Sequence, residues 1–254
     1  MRIVVAGGTG LVGSQVVDRL RSAGHEAVVA SRSLGVDLLT GDGLLAALDG
    51  ADAVVDATNT PAQDAEQTTA FFGAVATNLL AAEEAAGVRH HVLLSIMNMD
   101  LTGPRNPHYA GKRRQEAIVQ AGSVPWTIVR AAQFFEFGEL VAGWTRQGDT
   151  VSIPPVRLQP VASSDVAATL AGIATDGPQG VVTLAGPQPV DFVELVRRSF
   201  EAEGEQITIV PTFEGMPFGP DVPEGAFLAP AGASIGSTTL DQWLDERRAA
   251  RTSA

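Results

Sequence analysis

The sequence contains no cysteine in its 254 residues. Disulfides, thiolate metal sites and cysteine nucleophiles are therefore excluded. Histidine is scarce as well. The four present show no H-E-x-x-H or comparable spacing, so no dedicated metal site is expected. Positive charge is in short supply, with 17 Lys and Arg against 29 Asp and Glu and a formal net charge of −12. Nucleic acid and anionic membrane surfaces both call for a basic face, so neither is an expected partner. No apolar run approaches the ~18 residues of a membrane span. The first residues enter a strand pattern with no signal-peptide h-region before it, and the expectation is a cytoplasmic protein. Tyrosine occurs once, at Tyr109.

Apolar residues are plentiful. They make up 45% of the chain against 18% charged, enough for a substantial core. The length suits one large domain. Its most informative stretch is Arg2-Ile3-Val4-Val5-Ala6-Gly7-Gly8-Thr9-Gly10-Leu11-Val12-Gly13. A β-branched apolar run stops at glycines, and an apolar-periodic segment follows through Val16, Val17 and Leu20. The pattern reads as buried strand, tight turn and helix. Gly7, Gly10 and Gly13 have the spacing of a dinucleotide site. The first permits a sharp turn, the second a close approach of backbone to pyrophosphate, and the third close helix–sheet packing. Gly7, Thr9, Gly10, Leu11 and Val12 are accordingly expected to contact the cofactor, whose phosphates face the helix N-terminus.

A second strand at Ala27–Ala30 leads into Ser31-Arg32-Ser33. A site for NAD places an acid about 20 residues after the glycines to hold the ribose 2′-hydroxyl. Here an arginine stands between two serines, a set suited to a 2′-phosphate and therefore to NADP. The alternative is an ordinary exposed arginine. Val36-Asp37-Leu38 reads as a short third strand or its end. Asp37 and Leu38 then serve either the adenine or, with equal weight, a cap and the core. Ala53–Ala57 is a fourth strand that runs into the small, polar Ala57-Thr58-Asn59, as a ligand crevice requires. A long helix is expected from Asp64 to Gly87, with Phe71 and Phe72 in the core. A fifth strand runs from His91 to Ile96 and contains Ser95. A loop from Met97 to Pro107 precedes a helix that opens at His108. A sixth strand begins at Trp126 and leads to Gln133, Phe134, Phe135 and Phe137.

This alternation implies an α/β fold, a doubly wound parallel Rossmann sheet. Residues 1–135 read as a dinucleotide-binding core and residues 136–254 as a small α+β cap for the substrate, within a single domain. Helices are expected at about 164–175, 191–203 and 238–250, and a Gly/Pro-rich loop at 211–236. The helices at 64–87 and 108–121 are the ones available for a homodimer.

Several motifs together resemble those of NmrA-like proteins, atypical members of the short-chain dehydrogenase/reductase superfamily. They are Val5 to Gly13, Ser31-Arg32, Val36-Asp37-Leu38, Tyr109-x-x-Lys112, Thr127-Ile128-Val129-Arg130 with Gln133-Phe134-Phe135, and Pro160-Val161 before Asp165-Val166-Ala167. The resemblance covers nearly the whole chain. It implies a Rossmann core that binds NADP(H), with Gln133 and Phe134 beside the cofactor. It also implies a reductase, a quinone-reductase-like enzyme, or a regulator that binds the nucleotide without turnover. A redox-neutral epimerase or isomerase is a further alternative. In the superfamily a tyrosine stands four residues before a lysine, and a serine ends the fifth strand. Ser95 and Lys112 match this pattern. The residue four before Lys112 is His108, and Tyr109 is three before it. His108 or Tyr109 can therefore be the proton donor, or Lys112 acts alone on the nicotinamide ribose.

Overall fold

The computed structural model describes residues 1–62, 64–101, 106–214, 216 and 219–252. Strands β1 (Arg2–Ala6), β2 (Glu26–Ala30), β3 (Ala53–Asp56), β4 (His91–Ile96) and β5 (Trp126–Ala131) alternate with four helices. These are α1 (Leu11–Ser22), α2 (Leu44–Ala47), α3 (Ala65–Ala86) and α4 (Pro107–Ala121). Then follow α5 (Phe137–Thr145), β6 (Thr150–Ile153), β7 (Arg157–Leu158), α6 (Ser163–Asp176), β8 (Gly180–Ala185) and β9 (Val190–Asp191). The chain finishes with α7 (Phe192–Ala202), β10 (Thr208–Pro211), β11 (Ser234–Ile235) and α8 (Leu240–Thr252).

Ile3, Val4, Val5 and Ala6 have no exposed surface, which fits a strand covered on both faces. They sit inside a seven-stranded sheet ordered β11-β8-β5-β4-β3-β1-β2, and every neighbouring pair is parallel. The expected doubly wound parallel sheet is thus present. The chain leaves β1 for β2 on one side and returns to β3 on the other. The crevice opens where those directions part, at the C-terminal ends of β1 and β3. Helices α1 and α6 cover one face through Val12, Val16, Val17, Val166 and Leu170. Helices α2 and α3 cover the other through Leu44, Val75 and Leu79, with Val119 of α4 on Leu93 and Ile128 beside them.

Capping explains where the helices begin. Asp64 accepts a hydrogen bond from Gln67 N at 2.8 Å and starts α3. Asn106 caps α4 by accepting from His108 N at 3.0 Å, with Pro107 at the first helical position. That arrangement fixes His108 and Tyr109 in the first turn.

Two sequence expectations need correction. Val36-Asp37-Leu38 forms no strand. Asp37 N donates to Asp42 O, Gly41 N donates to Asp37 O, and Asp37 Oδ1 accepts from Leu39 N at 2.8 Å. The local loop uses the groups that a ladder would need. The sheet consequently ends at β2. Helix α5 is an element the sequence reading omits, because no capping side chain marks its start: Glu136 makes no cap hydrogen bond. Most of the 211–236 stretch is loop as expected, but β11 emerges from it to pair with β8. Residues 102–105 of the Met97–Pro107 loop, and 215, 217 and 218 of the later one, lie outside the described residues. A second apolar cluster joins α5, α7, α8 and β6 through Val141, Phe192, Leu195, Trp243 and Ile153. No helix among the described residues is long and apolar enough to cross a membrane.

Candidate functional site

The glycine turn is built by backbone contacts. Gly7 has φ +75°, and a Cβ on it would lie 2.7 Å from Ala57 O, so the exits of β1 and β3 touch here. A Cβ on Gly13 would lie 2.2 Å from Gly7 O, which lets α1 start directly against the turn. Gly10 is the N-cap of α1 and offers no side-chain cap, and Thr9, Gly10 and Leu11 are exposed. No side chain among the described residues caps the first N–H groups of α1, which carry the positive end of the helix dipole.

Beside this turn, Arg32 opens a short 3-10 turn at Arg32–Leu34, and its side chain is exposed without an ion pair among the described residues. Ser31 Oγ and Ser33 Oγ lie 3.0 Å apart, one on each side of it in sequence. Asp37 is half-buried and spends Oδ1 on Leu39 N. Leu38 packs half-buried on the α2–α3 cluster, and its carbonyl accepts from Asn78 Nδ2 at 3.0 Å.

Beneath the crevice lies a polar chain that the sequence reading did not find. Asp56 ends β3 fully buried, accepting at Oδ1 from Thr58 N (3.0 Å) and Thr58 Oγ1 (2.6 Å). Gln115 Nε2 donates to Asp56 Oδ2 at 2.8 Å, and Gln115 Oε1 accepts from Lys112 Nζ at 2.9 Å. Lys112, 4% exposed, also donates to Leu94 O at 3.0 Å and Thr58 O at 3.4 Å. Its three ammonium hydrogens all find acceptors inside the protein. Nζ also lies 4.4 Å from the centre of the Phe72 ring. Burial pulls Lys112 down to about 8, against the opposing fields of Asp56 and Glu116. A signal was available: Asp56 is the one acid in the apolar run Ala53-Val54-Val55-Asp56-Ala57.

The two candidate proton donors point to different surroundings. His108 stacks edge-on against Phe72 of α3, with centroids 5.4 Å apart. Burial, and then the charge of Lys112, lower His108 to about 4. His108 is therefore poorly suited to the proton-donor role at neutral pH. Tyr109 is buried, and Gln133 Nε2 approaches its hydroxyl at 3.5 Å. Ser95 at the end of β4 is 2% exposed, and its Oγ has no hydrogen-bond partner among the described residues. Gln133, 8% exposed, likewise leaves Oε1 unpartnered among the described residues. Phe134 is half-buried at the edge of the sheet core. Phe135 packs on Trp243, and Phe137 stacks on Phe192 at 5.6 Å, so both belong to the second cluster. Ala57 and Thr58 are largely enclosed at the exit of β3, whereas Asn59 is exposed and its side chain accepts from Thr60 N at 2.9 Å.

The other buried histidines shape acid stability. His90 donates to or accepts from Thr127 Oγ1 at 2.9 Å, and burial, then His91, lower it to about 4. His91 is fully buried against Glu83 at 2.8 Å; burial lowers it, but Glu83 outweighs burial and the net shift is upward. A histidine lowered on folding stabilises above pH 6.5 and loses that contribution as pH falls toward 4. The His91 contribution is fully present below 6.5. The His90 contribution alone is therefore expected to lower the melting temperature by about 5–10 °C between pH 7 and pH 4.5, against the opposing gain from His91. His90→Gln should flatten this slope in thermal unfolding followed across that range. An unchanged slope would exclude His90 as a source.

Residues 7–177 match an NAD(P)H-binding family. The chain belongs to this family. It is similar to (4-alkanoyl-5-oxo-2,5-dihydrofuran-3-yl)methyl phosphate reductase of Streptomyces griseus, with 36% identity over 144 residues, 52% of this chain and 48% of that protein. It is also similar to photosystem II assembly factor Ycf39 of Synechocystis, with 29% identity over 150 residues, 54% of this chain and 46% of that protein. The matched stretch spans about half the length of these curated relatives. A short-chain dehydrogenase/reductase superfamily protein from Agrobacterium tumefaciens, solved with bound NAD, shares the fold at a TM-score of 0.72. The two are 21% identical, and the match covers 100% of this chain and 98% of that one. Family, fold and reductase relative agree with the NmrA-like, atypical short-chain dehydrogenase/reductase character of the motifs.

Proposed function

We propose that the chain is an NADPH-dependent oxidoreductase acting on a small, largely apolar carbonyl, enone or quinone. The observation that carries this reading is Ser95. A buried hydroxyl without a partner among the described residues, at the C-terminal end of a central strand, awaits a hydrogen-bonding ligand. In this reading residues 1–135 hold the nucleotide and residues 136–254 the substrate side, in a cytoplasmic protein. The N–H groups behind Gly10, at Leu11 and Val12, take the pyrophosphate. Arg32, with Ser31 and Ser33, takes the 2′-phosphate. Asp37 Oδ2 and Leu38 face the adenine. Ala57, Thr58, Asn59, Gln133 and Phe134 line the remaining cleft.

NADPH, when bound, supplies the hydride. Ser95 Oγ donates to the substrate oxygen. Tyr109 releases the proton from its hydroxyl, because His108, held near 4, is neutral at pH 7 and has no ready proton to give. Lys112 acts as a positioning residue that braces the Thr58 carbonyl and keeps positive charge below the cleft. The named substrate of the Streptomyces relative, a 5-oxo-2,5-dihydrofuran, supports an enone-type acceptor. A second reading, a nucleotide-binding protein without turnover, is favoured by the displaced tyrosine and by the assembly-factor relative.

Loss of nicotinamide absorbance with NADPH and a panel of quinones and enones tests the first reading. Tight NADPH binding with no turnover across the panel would leave the second. For the cofactor, Arg32→Ala is expected to weaken NADPH binding by at least about 30-fold, as removal of a charge-assisted contact should. NADH binding should change by no more than about threefold in the same titration. Equal losses would overturn the 2′-phosphate role.

A further inference from the structure

We propose that Asn98 is a positioning residue for the substrate side of the crevice, holding residues 226–229 as a fixed wall beside Ser95. The inference rests on the oxidoreductase reading. Asn98 follows Ser95 by three residues, just past the end of β4. It has φ +56°, the only positive φ outside glycine among the described residues. Asparagine tolerates that conformation better than other side chains, and its short amide then points back along the chain. Both hydrogens of Nδ2 are used. One goes to Ala226 O at 3.0 Å and the other to Leu228 O at 2.9 Å. A short side chain with two donors on one nitrogen is needed to span alternate carbonyls; an aspartate would set a carboxylate against both.

The held stretch is fastened from its other side as well. Gln159 N donates to Phe227 O at 3.0 Å, and Gln159 Oε1 accepts from Ala229 N at 3.1 Å. Phe227 is buried in the second apolar cluster. Docking to that cluster is therefore already secured by Phe227 and Gln159. What Asn98 adds is a link to β4, the strand that carries the unpartnered Ser95 hydroxyl. The placement of the wall relative to the end of β4 is set through Asn98. Ligands in open α/β sheets sit at this C-terminal edge, so the wall bounds the substrate and not the adenine end.

The test compares wild type, Asn98→Gly and Asn98→Asp. Glycine keeps the backbone conformation and drops both donors, so it folds even where aspartate does not. Asn98→Gly is expected to leave the NADPH dissociation constant within twofold. The KM of the best panel substrate should rise at least tenfold, with a smaller change in kcat. Unchanged KM and kcat in the folded variant would overturn the proposal while the oxidoreductase reading stands. If wild type turns over nothing, that reading falls, and the wall is read from binding of menadione to the NADP⁺-saturated protein. Tenfold weaker menadione binding by Asn98→Gly then supports the wall. Equal binding, or none by wild type, overturns it.

Discussion

Gly13→Ala is expected to abolish NADPH binding and to destabilise the fold by about 3 kcal/mol, the upper end for overpacking a tight site. The added methyl would lie 2.2 Å from Gly7 O, 2.8 Å from Gly7 C and 2.9 Å from Gly8 Cα. All three are backbone atoms, so no flexible side chain can swing away. Gly7 cannot retreat either, because its own Cα faces Ala57 O across the exit of β3. The new methyl therefore pushes α1 off the sheet. Its N–H groups then no longer converge on the phosphates. Thermal unfolding and NADPH titration check this. A variant that melts within 2 °C of wild type and binds NADPH normally would show the turn to be more compliant than its contacts imply.

Lys112→Met is expected to cost about 3–5 kcal/mol, the usual loss when one partner of a buried charge set is removed. It would leave Leu94 O, Gln115 Oε1 and Thr58 O without their shared donor, and the carboxylate of Asp56 without the ammonium that faces it through Gln115. The double variant Lys112→Met with Asp56→Asn should recover part of the loss, since neither buried charge remains uncompensated. Linkage gives a second signature. Lys112 is held at about 8 on folding, below its ordinary 10.5. A depressed value contributes stability above the unfolded pKa and loses it as pH falls through the folded one. Wild type should therefore gain stability relative to Lys112→Met as pH rises from 8 to 10.5. Denaturant melts of the three proteins at pH 7 and pH 9.5 measure both effects. A single variant as stable as the double would mean the network contributes nothing at Asp56.

The glycine turn was legible because every part of it is local: strand, turn and helix follow within a dozen residues, and each requirement falls on one position. The same local logic failed at Val36–Leu38. A β-branched residue followed by Asp and Leu resembles a strand end, but the carboxylate of Asp37 closed a turn with Leu39 N instead. Lys112 shows a different limit. Its spacing from His108 and Tyr109 put all three on one helix. Only the packing of α3 against α4 decided that His108 would meet Phe72 while Tyr109 turned toward Gln133. Asp56 and Gln115 are 59 residues apart, and Asn98 and Ala226 are 128 apart. No pattern in a single sequence ties such partners together.

The strand order also bears on how the molecule comes into being. In the finished sheet β5 lies between β4 and β8, yet β8 begins at Gly180, well after β5 ends at Ala131. A ribosome that has released β5 must add all of α5, β6, β7 and α6 before the second neighbour exists. Meanwhile the free edge of Thr127 to Ala131 offers backbone donors and acceptors along a strand that carries Ile128, Val129 and Ala131, the kind of edge that recruits another chain. Translation speed between these two strands thus sets how long each newborn copy remains open to association with its neighbours.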